Sequence, residues 1–298
     1  MLGRLFLQGV TETLWPYVQA LPELKAAYTT PFSPDAAAAT HHHLFAFHIF
    51  PYESFFRTDT GLSGGPIAGE VAQLYQQAGF NAAADAPDHL GQEMAFMAHL
   101  TQAEANAWAS QQPALAQQWR QVQHTFLNQH LLTWLIPFVI ALPPDAPFYQ
   151  QLAHLTLELV ADQFNDLSLA AVTPPPQPIF ADIPALSDNP RPWDFIHFWV
   201  TPAHSGLFLS RDDISRVARQ MGTVHGFGKR DEMLKNVLDA AAAASTLPTL
   251  FQTLAQFSQQ WQTAYHQIAT LFPDLSAFIA PWQARAHRAG EWRISRES

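Results

Sequence analysis

Apolar residues along this chain recur every three or four positions, and runs that alternate apolar with polar are scarce. That period belongs to amphipathic helices, so the pattern predicts an all-α protein, a helical bundle followed by a second, smaller helical unit. The clearest stretch runs from Pro113 to about Leu142, where Leu115, Trp119, Val122, Phe126, Leu131, Trp134 and Phe138 form one stripe. Ser110 is placed to cap it, Pro113 suits its first turn, and Pro137 is expected to kink its end. A helix is expected over Asp88–Leu100, with Asp88 as its cap and Leu90, Met94 and Met97 inside. Thr101 and Glu104 have capping-box spacing and predict that a separate helix opens there. Helices are also predicted over about 69–78, ended by Gly79, and over about 147–170, with Leu152, Leu155, Leu159 and Phe164 inside.

Prolines crowd residues 173–192, which therefore cannot be helical and read as a stiff linker. The expected organisation is a helical domain over 1–172, this linker, and a C-terminal helical unit over 193–298. In the last unit Ser210 and Asp213 form a capping box for a helix to about Met221. Helices follow over Lys229–Ala244 and Thr249–Leu271, the latter with Leu250, Leu254, Phe257, Trp261, Tyr265 and Ile268 on one face.

Composition adds exclusions. Hydrophobic residues make up 48 % of the 298, enough for a real core and against general disorder. There is no cysteine, which excludes disulfides, Cys-ligated zinc, iron–sulfur clusters held by this chain and any thiol nucleophile. The net charge is −10. It is unevenly spread: residues 1–190 hold 4 basic and 16 acidic groups, 4 − 16 = −12, and residues 191–298 hold 11 and 9, 11 − 9 = +2. An acidic body argues against nucleic-acid binding and suits a basic partner. The longest apolar run, Leu131–Leu142, is interrupted by Thr133 and Pro137 and is too short for a membrane span of ~20 residues. Residues 1–15 lack the pattern of an export leader, so a cytoplasmic chain is expected.

Three segments carry candidate chemistry. Phe50-Pro51-Tyr52-Glu53-Ser54-Phe55-Phe56 sets one acid and one hydroxyl among aromatics, before a Gly-rich loop. In Pro87-Asp88-His89-Leu90-Gly91-Gln92-Glu93, His89 and Glu93 are i and i+4 on one helical face. In Phe126-x-x-x-His130-Leu131-x-x-Trp134, His130 shares a face with two aromatics. No metal site is expected, because His41, His42, His43 and His48 have no regular spacing that gathers three with a carboxylate. Gly226–Arg230 is neither a Walker loop nor a dinucleotide fingerprint and reads as a helix–helix turn. No nucleophile elbow is present, so neither catalytic residues nor a cofactor are expected. One alternative is a small helical metalloenzyme using His89, Glu93, His99 and His130. Against it, His89 and His99 lie ~15 Å apart along one helix axis. Another is an interaction or regulatory module centred on the C-terminal unit.

Together and in this order, the three segments resemble the TorD/DmsD family of redox-enzyme maturation chaperones. That family carries a Pro-Tyr-Glu-Ser-like segment, a Pro-Asp-His-Leu-x-x-Glu segment and a Phe-x-x-x-His-Leu-x-x-Trp segment, matched here by Pro51–Ser54, Pro87–Glu93 and Phe126–Trp134. The family's frequent Glu before Pro-Asp-His is Ala86 here, and residues 193–298 exceed the usual family length. The resemblance covers about residues 1–170. It implies an all-helical chaperone, monomeric or homodimeric, that binds the twin-arginine leader of an apo-molybdoenzyme subunit until the cofactor is inserted. Cofactor-insertion machinery is a further implied partner. The leader-binding residues it suggests are Tyr52, Glu53, Ser54, Phe55, Asp88, His89, Glu93, His130 and Trp134. Glu53, Asp88 and Glu93 would be the acids, and Tyr52, Phe55 and Trp134 the aromatic walls. A cationic, partly apolar leader complements such acids and aromatics.

Overall fold

A computed structural model describes residues 1–82, 86–168, 186–187, 190–223 and 226–291. Among them the secondary structure is helical, and the only strand-like feature is an isolated antiparallel bridge between Tyr52 and His89. The expected proline linker at 173–192 lies for the most part outside the described residues. The chain forms two compact units, Met1–Phe55 with Leu62–Gln177, and Phe56–Gly61 with Pro178–Ser298.

The first unit carries α1 (Leu2–Gln8), α2 (Trp15–Ala20), α3 (Pro22–Ala27), α4 (Pro34–His42), the start of α5 (Glu53–Arg57), α6 (Pro66–Gln77), α7 (Leu90–Ala109), α8 (Pro113–Phe126), α9 (Leu132–Ala141) and α10 (Pro147–Ser168). Two π-helical segments, His43–His48 and Leu127–Leu131, extend α4 and join α8 to α9. α7 is the spine, flanked by α1 and α8, while α10 packs on α3, α8 and α9. α1 and α7 meet at two glycines. A Cβ on Gly91 would stand 2.4 Å from the Gly3 carbonyl oxygen, and one on Gly3 2.7 Å from that of Gly91. Only hydrogen atoms fit at this crossing.

Several local expectations are corrected. The stripe from Pro113 to Leu142 is not one α-helix, because the hydrogen-bond register slips through Leu127–Leu131. α7 runs unbroken through Thr101 and Glu104, so the capping box there does not form. Thr101 Oγ1 instead donates to the Met97 carbonyl (2.9 Å), and the Glu104 carboxylate accepts from Trp108, Arg120 and Gln123. Leu159 is exposed, because α10 buries the face holding Leu152, Thr156, Val160 and Phe164. Leu115 is likewise exposed.

The second unit carries α11 (Pro192–Val200), α12 (Pro202–Ser205), α13 (Arg211–Gln220), α14 (Arg230–Ala243), α15 (Leu247–Leu271) and α16 (Ser276–Glu291). α15 pairs with α16, and α14 packs on α11 and α13. Trp199, Phe208, Tyr265, Phe278 and Trp282 fill its core. Phe56, from the short segment Phe56–Gly61, lies 6.0 Å from the Phe208 ring, and His204 Nε2 donates to the Asp59 carbonyl (3.2 Å). The Ser210–Asp213 capping box forms as the sequence predicts. Gly226–Lys229 is a turn entering α14, with the Arg230 guanidinium 4.7 Å over the Phe208 ring. Among the described residues no helix is long and apolar enough to cross a membrane.

Candidate functional site

The three sequence segments converge inside the first unit. Pro51–Ser54 and Asp88–Leu90 pair backbone to backbone: the Glu53 N–H donates to the Asp88 carbonyl and the Leu90 N–H to the Pro51 carbonyl, both at 2.9 Å. This short bridge fixes Glu53, Ser54, Asp88 and His89 relative to one another before any side chain acts. The Asp88 carboxylate then accepts from the Ser54 N–H (3.0 Å) and the Ser54 hydroxyl, and Ser54 Oγ accepts from the Gly64 N–H (2.7 Å). The start of the Gly-rich loop is thus tied to the second segment through one serine.

Asp88 is therefore not the cap of α7. That position is held by His89, whose Nδ1 accepts from the Gly91 N–H at 3.0 Å. Its ring stands edge-on to Tyr52, with centroids 5.0 Å apart. Burial, with a smaller contribution from His41, lowers the His89 pKa to about 4, so the ring is neutral near pH 7 and can accept at Nδ1.

Deeper in, the third segment meets the other two. His130 Nδ1 donates to the Glu53 carboxylate, 3.1 Å to Oε2 and 3.2 Å to Oε1. Trp134 Nε1 donates to Glu93 Oε2 at 3.1 Å. Glu53 and Glu93 are both wholly buried, and close enough for the charge of one to act on the other. Two carboxylates cannot both stay charged in such a place. Burial, then the charge of Glu53, raise the Glu93 pKa far above the ordinary carboxylate value, so Glu93 holds a proton. Tyr75 closes the cluster. Its hydroxyl donates to the Pro87 carbonyl (2.7 Å), and burial plus the surrounding acids keep it protonated.

The structure thus gathers Glu53, Ser54, Asp88, His89, Glu93, His130 and Trp134 into one network, and it buries them. The sequence reading placed Glu53, Asp88 and Glu93 as acids facing a groove. In the structure each already has partners inside the protein, and none offers a carboxylate to solvent. Phe55 is buried against Phe50 at 5.0 Å, and Tyr52 alone of the named residues is half-exposed. Among the described residues, no three His, Asp or Glu side chains stand close enough to hold a metal. His99 Nε2 donates to the Ala78 carbonyl at the end of α6 (3.0 Å) and stands apart from the network.

What is open to solvent lies behind the network. A groove of about 190 Å³ is lined by Leu74, Gln77 and Ala78 on the α6 side and by Trp119, Gln121, Val122 and Thr125 of α8, with Phe96 and Phe126 as its floor. The network holds that floor. Phe126 stacks on His130 (5.3 Å) and meets Phe96 edge-on (4.9 Å), while Tyr75 lies 4.6 Å from Phe96. Glu70 is exposed on α6, one helical turn before Leu74. The sequence reading missed the groove. Trp119 and Val122 lie on the apolar stripe, yet they are only half-covered.

A family model described as nitrate reductase delta subunit matches residues 13–139, a span that contains all three segments. No curated protein and no solved structure matches the chain.

Proposed function

We propose, from the match of residues 13–139 to the family model described as nitrate reductase delta subunit, that this chain is a maturation chaperone of molybdoenzymes that binds the twin-arginine leader of an apo-molybdoenzyme subunit. It holds the precursor in the cytoplasm until the cofactor is inserted. The observation that carries the reading is the apolar groove backed by the network of all three family segments. A twin-arginine leader has a cationic end and an apolar stretch. The apolar stretch suits Leu74, Trp119, Val122 and the two phenylalanines, and the cationic end suits Glu70 and the acidic surface of the first unit. In this reading Tyr52 meets the leader, and Glu53, Ser54, Phe55, Asp88, His89, Glu93, His130 and Trp134 support recognition by holding α5, α6, α7 and the π segment in register.

Titration of a labelled leader peptide against the full chain tests this. Trp119→Ala should weaken binding at least tenfold with little change in melting temperature, since Trp119 is only half-buried. Affinity should also fall with added salt, because exposed charge pairs are screened beyond ~8 Å at 0.15 M. A Trp119→Ala protein that binds like the parent would remove the groove from the reading. No binding of any leader by the parent would remove the reading itself.

A further inference from the structure

Both walls of the groove are tied to one helix by polar contacts. α7, which supplies Phe96 to the floor, reaches the α6 wall through His99 and the α8 wall through Glu104. We propose that His99 and Arg120 set the separation of these walls and so act as positioning residues in leader binding, without touching the leader themselves. The inference rests on the leader reading of the groove.

Apolar packing does little to place the lining segments. α6 buries Ala68, Val71 and Tyr75, but neither Gln77 nor Ala78 beyond them. Over Pro113–Val122, α8 buries only Ala116. Polar contacts hold both walls instead. Ala78 ends α6, where carbonyls lack a partner inside the helix, and His99 Nε2 donates to its carbonyl at 3.0 Å. The His99 ring packs on Phe80 (centroids 5.4 Å) and Phe96 (6.5 Å), which fixes the aim of that N–H. On the other side, Arg120 Nη1 donates to Glu104 Oε1 at 3.1 Å, and Nη2 to Asp166 Oδ2 at 2.8 Å and to the Asp166 carbonyl at 3.0 Å. One planar guanidinium thereby joins α8 to both α7 and α10 and resists rolling of α8 about its axis. Gln123 adds a second contact to Glu104 (2.7 Å) and receives Gln163 of α10 (2.8 Å). Trp119, Gln121 and Val122 flank Arg120 in sequence, so a roll of α8 carries them with it and changes the groove. Partly exposed ion pairs add little to stability. Without Arg120, Glu104 would still keep Trp108 Nε1 and Gln123 Nε2 as donors, so the groove should respond more than the fold.

The chain has no cysteine, so Gln77→Cys and Gln121→Cys, both exposed and one on each wall, take spin labels at those positions alone. Pulsed electron paramagnetic resonance then reads the wall separation in the full chain. His99→Phe keeps a ring against Phe80 and Phe96 without the N–H, and Arg120→Met keeps most of the stem without the charge. Each should shift or broaden the distance between labels. In the unlabelled protein each should weaken leader binding at least tenfold, while circular dichroism and melting temperature stay near those of the parent. Arg120→Lys keeps the charge but not the fork, and His99→Gln keeps a donor, so each should recover part of both readouts. An unchanged distance in either variant overturns the proposal for that residue. So does a changed distance with parent-like affinity, or an affinity that falls only in step with the melting temperature. A parent that binds no leader removes the functional reading, and the distances alone then decide whether His99 and Arg120 set the walls. If either variant fails to fold, His99→Leu or Asp166→Asn, the latter at a side chain 63 % exposed, takes its place.

Discussion

The interiors of the two units are built on different terms. The first buries Glu53, Asp88, Glu93 and Glu104 together with His89, His124 and His130, whereas the second buries Thr201, Ser205, Ser258 and Arg285 around a core that is otherwise apolar. Burying a carboxylate costs several kcal/mol unless it is paired or protonated. The first unit meets that cost by protonating Glu93, pairing Glu53 with His130 and directing Ser54 at Asp88. The second avoids the cost by leaving its acids at helix ends, as Asp213 does beside Ser210. A core built only for stability has no need of the first arrangement. The contrast sets apart the first unit, which also holds the residues matched by the family model.

The sharpest way to break this comparison is to remove one large buried side chain from each core. Trp134→Ala and Trp282→Ala should each cost ~3–5 kcal/mol, since both rings are fully buried. Leader titration below both melting temperatures should show binding lost in Trp134→Ala and kept in Trp282→Ala. Loss in both would mean that the two cores are not functionally distinct.

Isosteric changes to the buried acids come next. If Asp88 were a helix cap, Asp88→Asn would leave stability untouched. Because its carboxylate receives both Ser54 donors in the interior, Asp88→Asn should instead lose ~1.5–3 kcal/mol. Glu53→Gln should fall in the same range through loss of the His130 pairing. Thermal unfolding checks both, and unchanged melting temperatures would show that these acids are not structural.

pH separates two members of the same network by sign. Glu93 has its folded pKa raised, so its contribution is complete below the ordinary value of 4.5 and is lost as pH rises. The slope is at most ~1.4 kcal/mol per pH unit, and Glu93→Gln should flatten it. His89 has its folded pKa lowered from 6.5 to about 4, so its contribution is complete above 6.5 and is lost as pH falls toward 4. His89→Asn, which keeps a capping side chain, should remove that acid-side loss. Chemical denaturation at a series of pH values reads both slopes.

The smallest expected effect belongs to the second unit. Ser210→Ala removes the cap of α13 and should cost ~1 kcal/mol without touching leader affinity. A change in affinity there would tie the second unit to recognition.

By itself the sequence determined what is local. Amphipathic periods define the helices, and the Ser210–Asp213 box forms as read because its partners are three residues apart. The three segments also carry the resemblance to a family whose model matches residues 13–139, since chemistry and spacing are both written in the chain. Wherever a side chain had to choose between a near partner and a distant one, tertiary structure decided. Glu104 has the spacing of a capping residue, yet Arg120 and Gln123 from α8 claim it, and α7 runs through. Asp88 stands where caps stand, yet Ser54 takes its carboxylate and His89 caps instead. The π segments were invisible because a slipped hydrogen-bond register leaves no mark on an apolar period of three and four. That slip places His130 on Glu53 and His43 beside His48. Most consequential was burial: the sequence motifs hold Glu53, Asp88 and Glu93, but only packing decides whether a carboxylate faces water or another carboxylate. The reason is energetic. Helix formation is settled by neighbours within a turn or two, whereas the state of an ionisable group depends on everything brought within a few ångströms of it, however far along the chain.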